Sequence, residues 1–197
     1  MAAAPPTSNQ RRIPPAYAVP LQPTATVADA LSLVSDHRVP FDLSAYRERV
    51  RAGGCFICGS LRGDPGAEHE LLYDDGTHVA FLNRYPTLRG YALVAPRRHV
   101  TDVVRDLTRA EYLDLQAVVH TVALAINRVV PTERTYLLSL GSSQGNAHVH
   151  WHVAPLPPGV PYDRQQYHAL MAENGIIPQS PGEIAELGAA IRAALAG

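Results

Sequence analysis

The stretch His148-Val149-His150-Trp151-His152-Val153-Ala154 decides how this chain is read. Polar and apolar residues alternate without a break, as in a strand with one buried face. Successive strand side chains point to opposite faces. His148, His150 and His152 therefore share one face, and Val149, Trp151 and Val153 share the other. The apolar face can pack under helices, with Trp151 in the core. The histidine face is not ordinary core, because buried imidazoles need partners for their ring nitrogens. Two chemistries suit such a row. One is a metal centre, commonly with an added carboxylate ligand or general base. The other is covalent catalysis, in which a histidine nitrogen attacks phosphorus and its neighbours bind the oxygens. The loop entering the strand, Leu140-Gly141-Ser142-Ser143-Gln144-Gly145-Asn146, offers hydroxyls, amides and backbone N–H groups but no carboxylate. It is anion-binding material, and a phosphate pocket fits it better than a hydrolytic zinc site.

Working outward, Pro155 is expected to end this strand. Upstream, the pattern predicts strands at 70–73, 77–83, 89–95 and 135–140, the first two joined by a hairpin turn at Asp75-Gly76. Pro96 closes the third. The long helix is expected over 108–130. Thr108 and Glu111 have capping-box spacing, and Tyr112, Leu115, Val118, Val119, Val122 and Ile126 recur at helical intervals. Shorter helices are expected at 27–35, at 43–52 and near 163–173, and a last one runs from the Ser180/Glu183 capping box to about Leu195. Hairpins, one long helix and further strands indicate an antiparallel α+β domain.

Of 197 residues, 17 are basic and 18 acidic, for a net charge of −1. That balance gives no footprint for a nucleic-acid polymer. Every basic residue is arginine. Without lysine, a Walker-A loop, a kinase and any lysyl-adduct chemistry are excluded. No apolar run is long enough to span a membrane, and the N-terminus lacks the pattern of a secretory leader, so a cytoplasmic protein is expected. Cys55 and Cys58 form a C-x-x-C pair between Gly53-Gly54 and Gly59. The glycines place the pair in a turn, which favours a metal knuckle over a redox helix, with two incidental thiols as the plainer alternative.

His148-Val149-His150-Trp151-His152-Val153-Ala154 resembles the signature of the histidine triad superfamily of nucleotide hydrolases and nucleotidyl transferases. The resemblance runs from about Cys55 to Pro155 and includes Phe81-Leu82-Asn83-Arg84-Tyr85-Pro86 and Gly90-Tyr91-Ala92-Leu93-Val94-Ala95-Pro96. It implies a five-stranded antiparallel sheet with one long helix and additional C-terminal helices, usually dimeric. It implies His150 as nucleophile on an α-phosphate, giving a nucleotidyl-histidine intermediate, with His152 on the phosphate and assisting the leaving group. Asn83 corresponds to the ribose-binding position, and Gln144 with the backbone of Gly145 and Asn146 to the phosphate cradle. Some family members carry a structural zinc, and its ligands correspond here to Cys55, Cys58, His99 and His148. Zinc is then no participant in the chemistry.

The implied activity is hydrolysis of a nucleoside phosphate derivative, such as a dinucleoside polyphosphate or a phosphoramidate. The alternatives are a nucleotidyltransferase or a dinucleoside polyphosphate phosphorylase using the same intermediate, then a non-catalytic nucleotide-binding protein, then a catalytic zinc protein. Transferases of the galactose-phosphate branch have glutamine at the third triad position; His152 argues for hydrolysis. The expected organisation is a Pro/Ala-rich, largely flexible extension over 1–40, a catalytic domain over 41–160 and a helical extension over 161–197 packed on it. A homodimer is expected. His37, His69, His78 and His168 read as surface or edge residues, and His120 as structural.

Overall fold

A computed structural model describes residues 38–197. The helix expected at 27–35, and His37, lie outside the described residues. The rest is built from α1 (Leu43–Ala52), α2 (Phe56–Arg62), β1 (Leu71–Asp74), β2 (His78–Leu82), β3 (Ala92–Pro96), α3 (Arg109–Val129), β4 (Arg134–Ser139), β5 (Trp151–Leu156), α4 (Tyr167–Leu170) and α5 (Pro181–Ala196). The five strands form one antiparallel sheet in the order β1-β2-β3-β5-β4. This is the expected α+β class.

Apolar residues cover both faces of the sheet. Ala80, Leu82, Ala92, Val94 and Val153 pack against α3 and α5 on one side. Val79, Phe81, Leu93, Ala95 and Ala154 pack with Ile57 of α2 and Ala169 of α4 on the other. Every residue of β2 and β3 is consequently buried. Trp151 lies on the α3 side, edge-on to Tyr112, as the alternation requires.

The long helix starts at the expected capping box: Glu111 N–H donates to Thr108 Oγ1, and Thr108 N–H donates to Glu111 Oε2. Ser180 and Glu183 repeat the device at the head of α5. Leu187 and Ile191 seat α5 in the core, and Arg192 ties it to Glu70 and the Leu71 carbonyl. Gly90 turns the chain into β3 with φ +79°, and a Cβ there would stand 2.9 Å from Val130 Cγ2. Only glycine meets both demands.

Several expectations need correction. β5 begins at Trp151, not His148, and runs through Pro155 to Leu156. β5 pairs with β3 only as far as Trp151↔Val94, and the Val149 N–H donates instead to Val100 O at 2.8 Å. The first two histidines therefore precede the strand, with a bend at His148. Pro155 fits within β5 because its missing N–H breaks no needed ladder bond. β3 starts at Ala92 and includes Pro96. The helix expected near 163–173 is three short turns, Tyr162–Arg164, Tyr167–Leu170 and Ala172–Asn174. Gln166 interrupts it with φ 54° and Met171 with ψ 118°, and no α-helix accepts either. The C-x-x-C pair is not in a turn. Cys55 caps α2, accepting the Cys58 N–H on Sγ at 3.4 Å, and Cys58 lies within the helix.

The β1–β2 turn depends on Asp75. Its Oδ1 accepts the Thr77 and His78 N–H groups, and its Oδ2 accepts the Tyr73 hydroxyl and faces His78 Nδ1 at 3.2 Å. Partial burial of Asp75 disfavours its charge, but these donors outweigh that cost and hold its pKa at about 2. The folded value lies below the unfolded one, near 3.9. The turn's contribution is thus complete above pH 4 and is lost as pH falls towards 2. Acid titration followed by circular dichroism is expected to show this loss in the native protein and not in Asp75→Asn.

Candidate functional site

His150 and His152 reach the sheet face that α1 and α2 cover, and they line a cavity of about 500 Å³. Their rings stand 4.8 Å apart. The His150 ring meets the His148 carbonyl at Nδ1, 2.7 Å away. A carbonyl only accepts, so Nδ1 carries the proton and Nε2 keeps its lone pair. Burial holds the His150 pKa below the usual histidine range, partly opposed by that hydrogen bond. His152 is pushed down to about 3, first by burial and then by the neighbouring His150. Its Nδ1 lies 3.0 Å from the Tyr91 hydroxyl, whose own pKa burial raises to about 12. The phenol therefore stays protonated and can donate to Nδ1, which leaves the His152 proton on Nε2. One ring offers a lone pair and the other a donor.

His148 is turned elsewhere. Its Nε2 donates to Pro96 O at 2.8 Å, and its Nδ1 faces Cys55 Sγ at 3.3 Å and Cys58 Sγ at 3.6 Å. His99 Nδ1 lies 3.3 Å from Cys58 Sγ. One donor atom from each of Cys55, Cys58, His99 and His148 falls within 4.8 Å of the others. Sulfur and nitrogen ligands around one tetrahedral zinc stand about 3.6 Å apart, so the spacing and the donor set both suit that ion. The bond to Pro96 fixes the tautomer that presents Nδ1, as an outer partner of a ligating histidine does. Burial disfavours ionisation of Cys55, but the His148 ring beside its sulfur and the hydrogen bond from the Cys58 N–H prevail and bring its pKa to about 6. Burial and the adjacent Cys55 push Cys58 up.

The expected binding residues divide. Asn83 lines the cavity, its Oδ1 held by the Tyr85 N–H at 3.0 Å. Asn146 also lines it, in a left-handed conformation with φ 55°, and its Nδ2 donates to the Tyr46 hydroxyl of α1. Gly145 packs against Val50 of α1. Gln144 is exposed, is not among the cavity-lining residues, and its N–H bonds to Ser142 Oγ.

Sequence reasoning missed three contributors. α1 forms part of the wall through Tyr46 and Val50, and Tyr46 packs with Phe41 and Tyr85. Phe56, inside the C-x-x-C, stands edge-on to His150 at 5.8 Å. His69, read as a surface or edge residue, lines the cavity. His78, read the same way, is buried against Asp75. Parity along α1 marks Tyr46 and Val50 as one face; nothing in the sequence marks His69.

Comparison with known proteins follows the same geometry. Residues 65–158 match the HIT domain. An uncharacterised HIT-like protein of Mycobacterium tuberculosis is 30% identical over 104 residues, covering 51% of this chain and 70% of that protein. An adenosine 5′-monophosphoramidase of Schizosaccharomyces pombe is 29% identical over 136 residues, covering 68% and 92%. Among solved structures, a hypothetical histidine triad nucleotide-binding protein of Sulfolobus tokodaii superposes with TM-score 0.58 at 25% identity, covering 72% of this chain and 92% of that one. A zinc-bound histidine triad family protein of Mycobacterium smegmatis gives 0.57 at 24%, covering 73% and 94%. No described helix is long and apolar enough to cross a membrane.

The seam between α1 and the 141–146 loop has no spare room. A Cβ on Gly145 would overlap Val50 Cγ1. Gly145→Ala is expected to displace α1 and lower the melting temperature by several degrees, as overpacking does. Differential scanning calorimetry checks this, and Gly145→Ala combined with Val50→Ala should recover most of the loss.

Proposed function

The chain belongs to the histidine triad family, and on that premise we propose that it is a nucleotide hydrolase cleaving at the α-phosphate of a nucleoside phosphate derivative through a nucleotidyl-histidine intermediate on His150. The observation that carries this reading is the 2.7 Å bond between His150 Nδ1 and the His148 carbonyl. It aims an unprotonated Nε2 into a cavity large enough for a nucleotide.

The chemistry divides into two displacements. His150 Nε2 attacks the α-phosphorus while the bond from phosphorus to the leaving group breaks. The ring becomes cationic, because Nδ1 keeps its proton, and the His148 carbonyl faces that charge. His152 Nε2 keeps its proton and donates a hydrogen bond to a phosphate oxygen or the departing atom, which leaves with the bonding pair and takes a proton from solvent. Water then attacks phosphorus, the N–P bond breaks with its electron pair returning to Nε2, and the water proton leaves to solvent. Asn83, which lines the cavity, would hold the ribose. The backbone of Gly145 and Asn146 borders the phosphate end, whereas Gln144 would have to swing inward to reach it.

The S. pombe relative's name supports a nucleoside phosphoramidate as the first substrate to try. His150→Ala is expected to lower turnover of adenosine 5′-phosphoramidate by on the order of a thousandfold or more. Rapid alkaline quench of the native enzyme, which preserves the acid-labile N–P bond, should trap a nucleotidyl group on His150. Unimpaired turnover in His150→Ala would reject the mechanism. Repeating the assay with inorganic phosphate or a sugar phosphate distinguishes hydrolysis from phosphorolysis and transfer by the product formed.

Cys55, Cys58, His99 and His148 would hold a zinc ion with four protein ligands. Such a closed site serves structure, because no position is left for water. The zinc-bound M. smegmatis structure supports this reading. Elemental analysis is expected to find one zinc per chain. Chelation, or Cys58→Ser, should lower the melting temperature well before it slows turnover at temperatures where the protein stays folded.

A further inference from the structure

We infer that His69 is a specificity-determining residue whose Nε2 accepts a hydrogen bond from an exocyclic amino group of the substrate's base. The inference rests on the nucleotide reading of the cavity and adds which part of the nucleotide is read, and by what.

Position comes first. β1 and β2 pair antiparallel with Leu71 opposite Phe81, and the Leu82 N–H donates to Glu70 O at 3.0 Å. Continued one step, that register sets His69 across from Asn83, the residue that would hold the ribose. Both line the cavity. The His69 ring packs on Phe81 at 4.8 Å and on Phe56 at 5.7 Å, and Phe56 reaches the His150 ring. The wall thus runs from nucleophile to aromatic ring to His69, with the ribose residue alongside. A nucleotide with its phosphorus at His150 and its ribose at Asn83 has its base at the third station.

The hydrogen-bonding state comes next. His69 Nδ1 meets the Ala67 carbonyl at 2.7 Å, so Nδ1 carries the proton. Burial lowers the His69 pKa, and the ring is neutral at pH 7. Nε2 is then an acceptor, and among the described residues it meets no donor. A flat, half-buried ring with one free acceptor beside two phenylalanines suits a base that carries an N–H. An analogue without the amine leaves that acceptor facing nothing, and the loss shows as discrimination.

The test compares two ligand pairs by isothermal titration calorimetry: AMP against purine riboside 5′-monophosphate, and GMP against IMP. Each pair differs by one amino group. In the native protein the amino member of at least one pair is expected to bind roughly three- to tenfold more tightly. In His69→Phe, which keeps an aromatic ring between Phe56 and Phe81, that ratio should fall to about one. No preference in either pair, or a preference that survives His69→Phe, overturns the assignment. If His69→Phe does not fold, the 15N resonance of His69 Nε2 in the native protein decides. A shift with the amino ligand alone supports the assignment, and equal shifts with both members reject it. Binding without discrimination removes the role of His69 and leaves the nucleotide site standing. Failure of all four ligands and of CMP to bind removes both.

Discussion

The rest of the site depends on how the His148 ring is held. Its Nε2 is bonded to the Pro96 carbonyl at the end of β3, and its Nδ1 faces the two cysteine sulfurs at the head of α2. One imidazole thereby joins the sheet to the N-terminal helices. It also fixes its own backbone, and the His148 carbonyl is the group that sets the protonation of His150. The triad thus does not present three equivalent rings to one face: His150 and His152 line the cavity and His148 does not. The first histidine is spent on anchoring so that the second is aimed and in the right tautomer. Neutral imidazole is a competent nucleophile near pH 7, so an arginine-only chain lacks nothing that this chemistry requires.

The two faces of the sheet divide the labour. α3 and α5 cover one face with aliphatic residues and present nothing reactive to it. The other face carries a smaller apolar cluster, and its remaining area holds the cavity. There α1 closes the wall through few contacts. Tyr46 accepts a hydrogen bond from Asn146, Val50 meets Gly145, and the Phe41–Tyr46–Tyr85 rings pack together. α1 has no fully buried residue. Segments with so little burial open at lower free energy than the core.

Much of this was legible before any fold was known. The capping boxes at Thr108 and Ser180, the Asp75-Gly76 turn and the partition of Trp151 from the histidines all follow from local chemistry and parity, and each stands in the structure. The misreadings have physical causes. Glycines around Cys55 and Cys58 suggested a turn, but a cysteine sulfur can cap a helix and glycine at its end, here Gly63 with φ 73°, can stop it. The pattern near 163–173 has helical composition, and it is broken at Gln166, with φ 54°, and again at Met171, with ψ 118°. Unbroken alternation from His148 suggested a strand, yet the chain before Trp151 leaves both neighbours: pairing stops at Val94 of β3 and Ser139 of β4, and the Val149 N–H goes to Val100 O instead.

By itself the sequence determined the residue types, their parity and the family: a triad with an anion-binding loop before it, a Cys2His2 donor set, and no amine nucleophile. These are properties of neighbours along the chain, where strand and helix periodicity reads directly. Only the tertiary structure decided which distant groups meet them. The chain entering β1 brought His69 onto Phe81 of β2, and the placing of α2 brought Phe56 to His150 and the cysteines to His148. Those encounters depend on register and helix docking, summed over many weak contacts, and no local pattern encodes them.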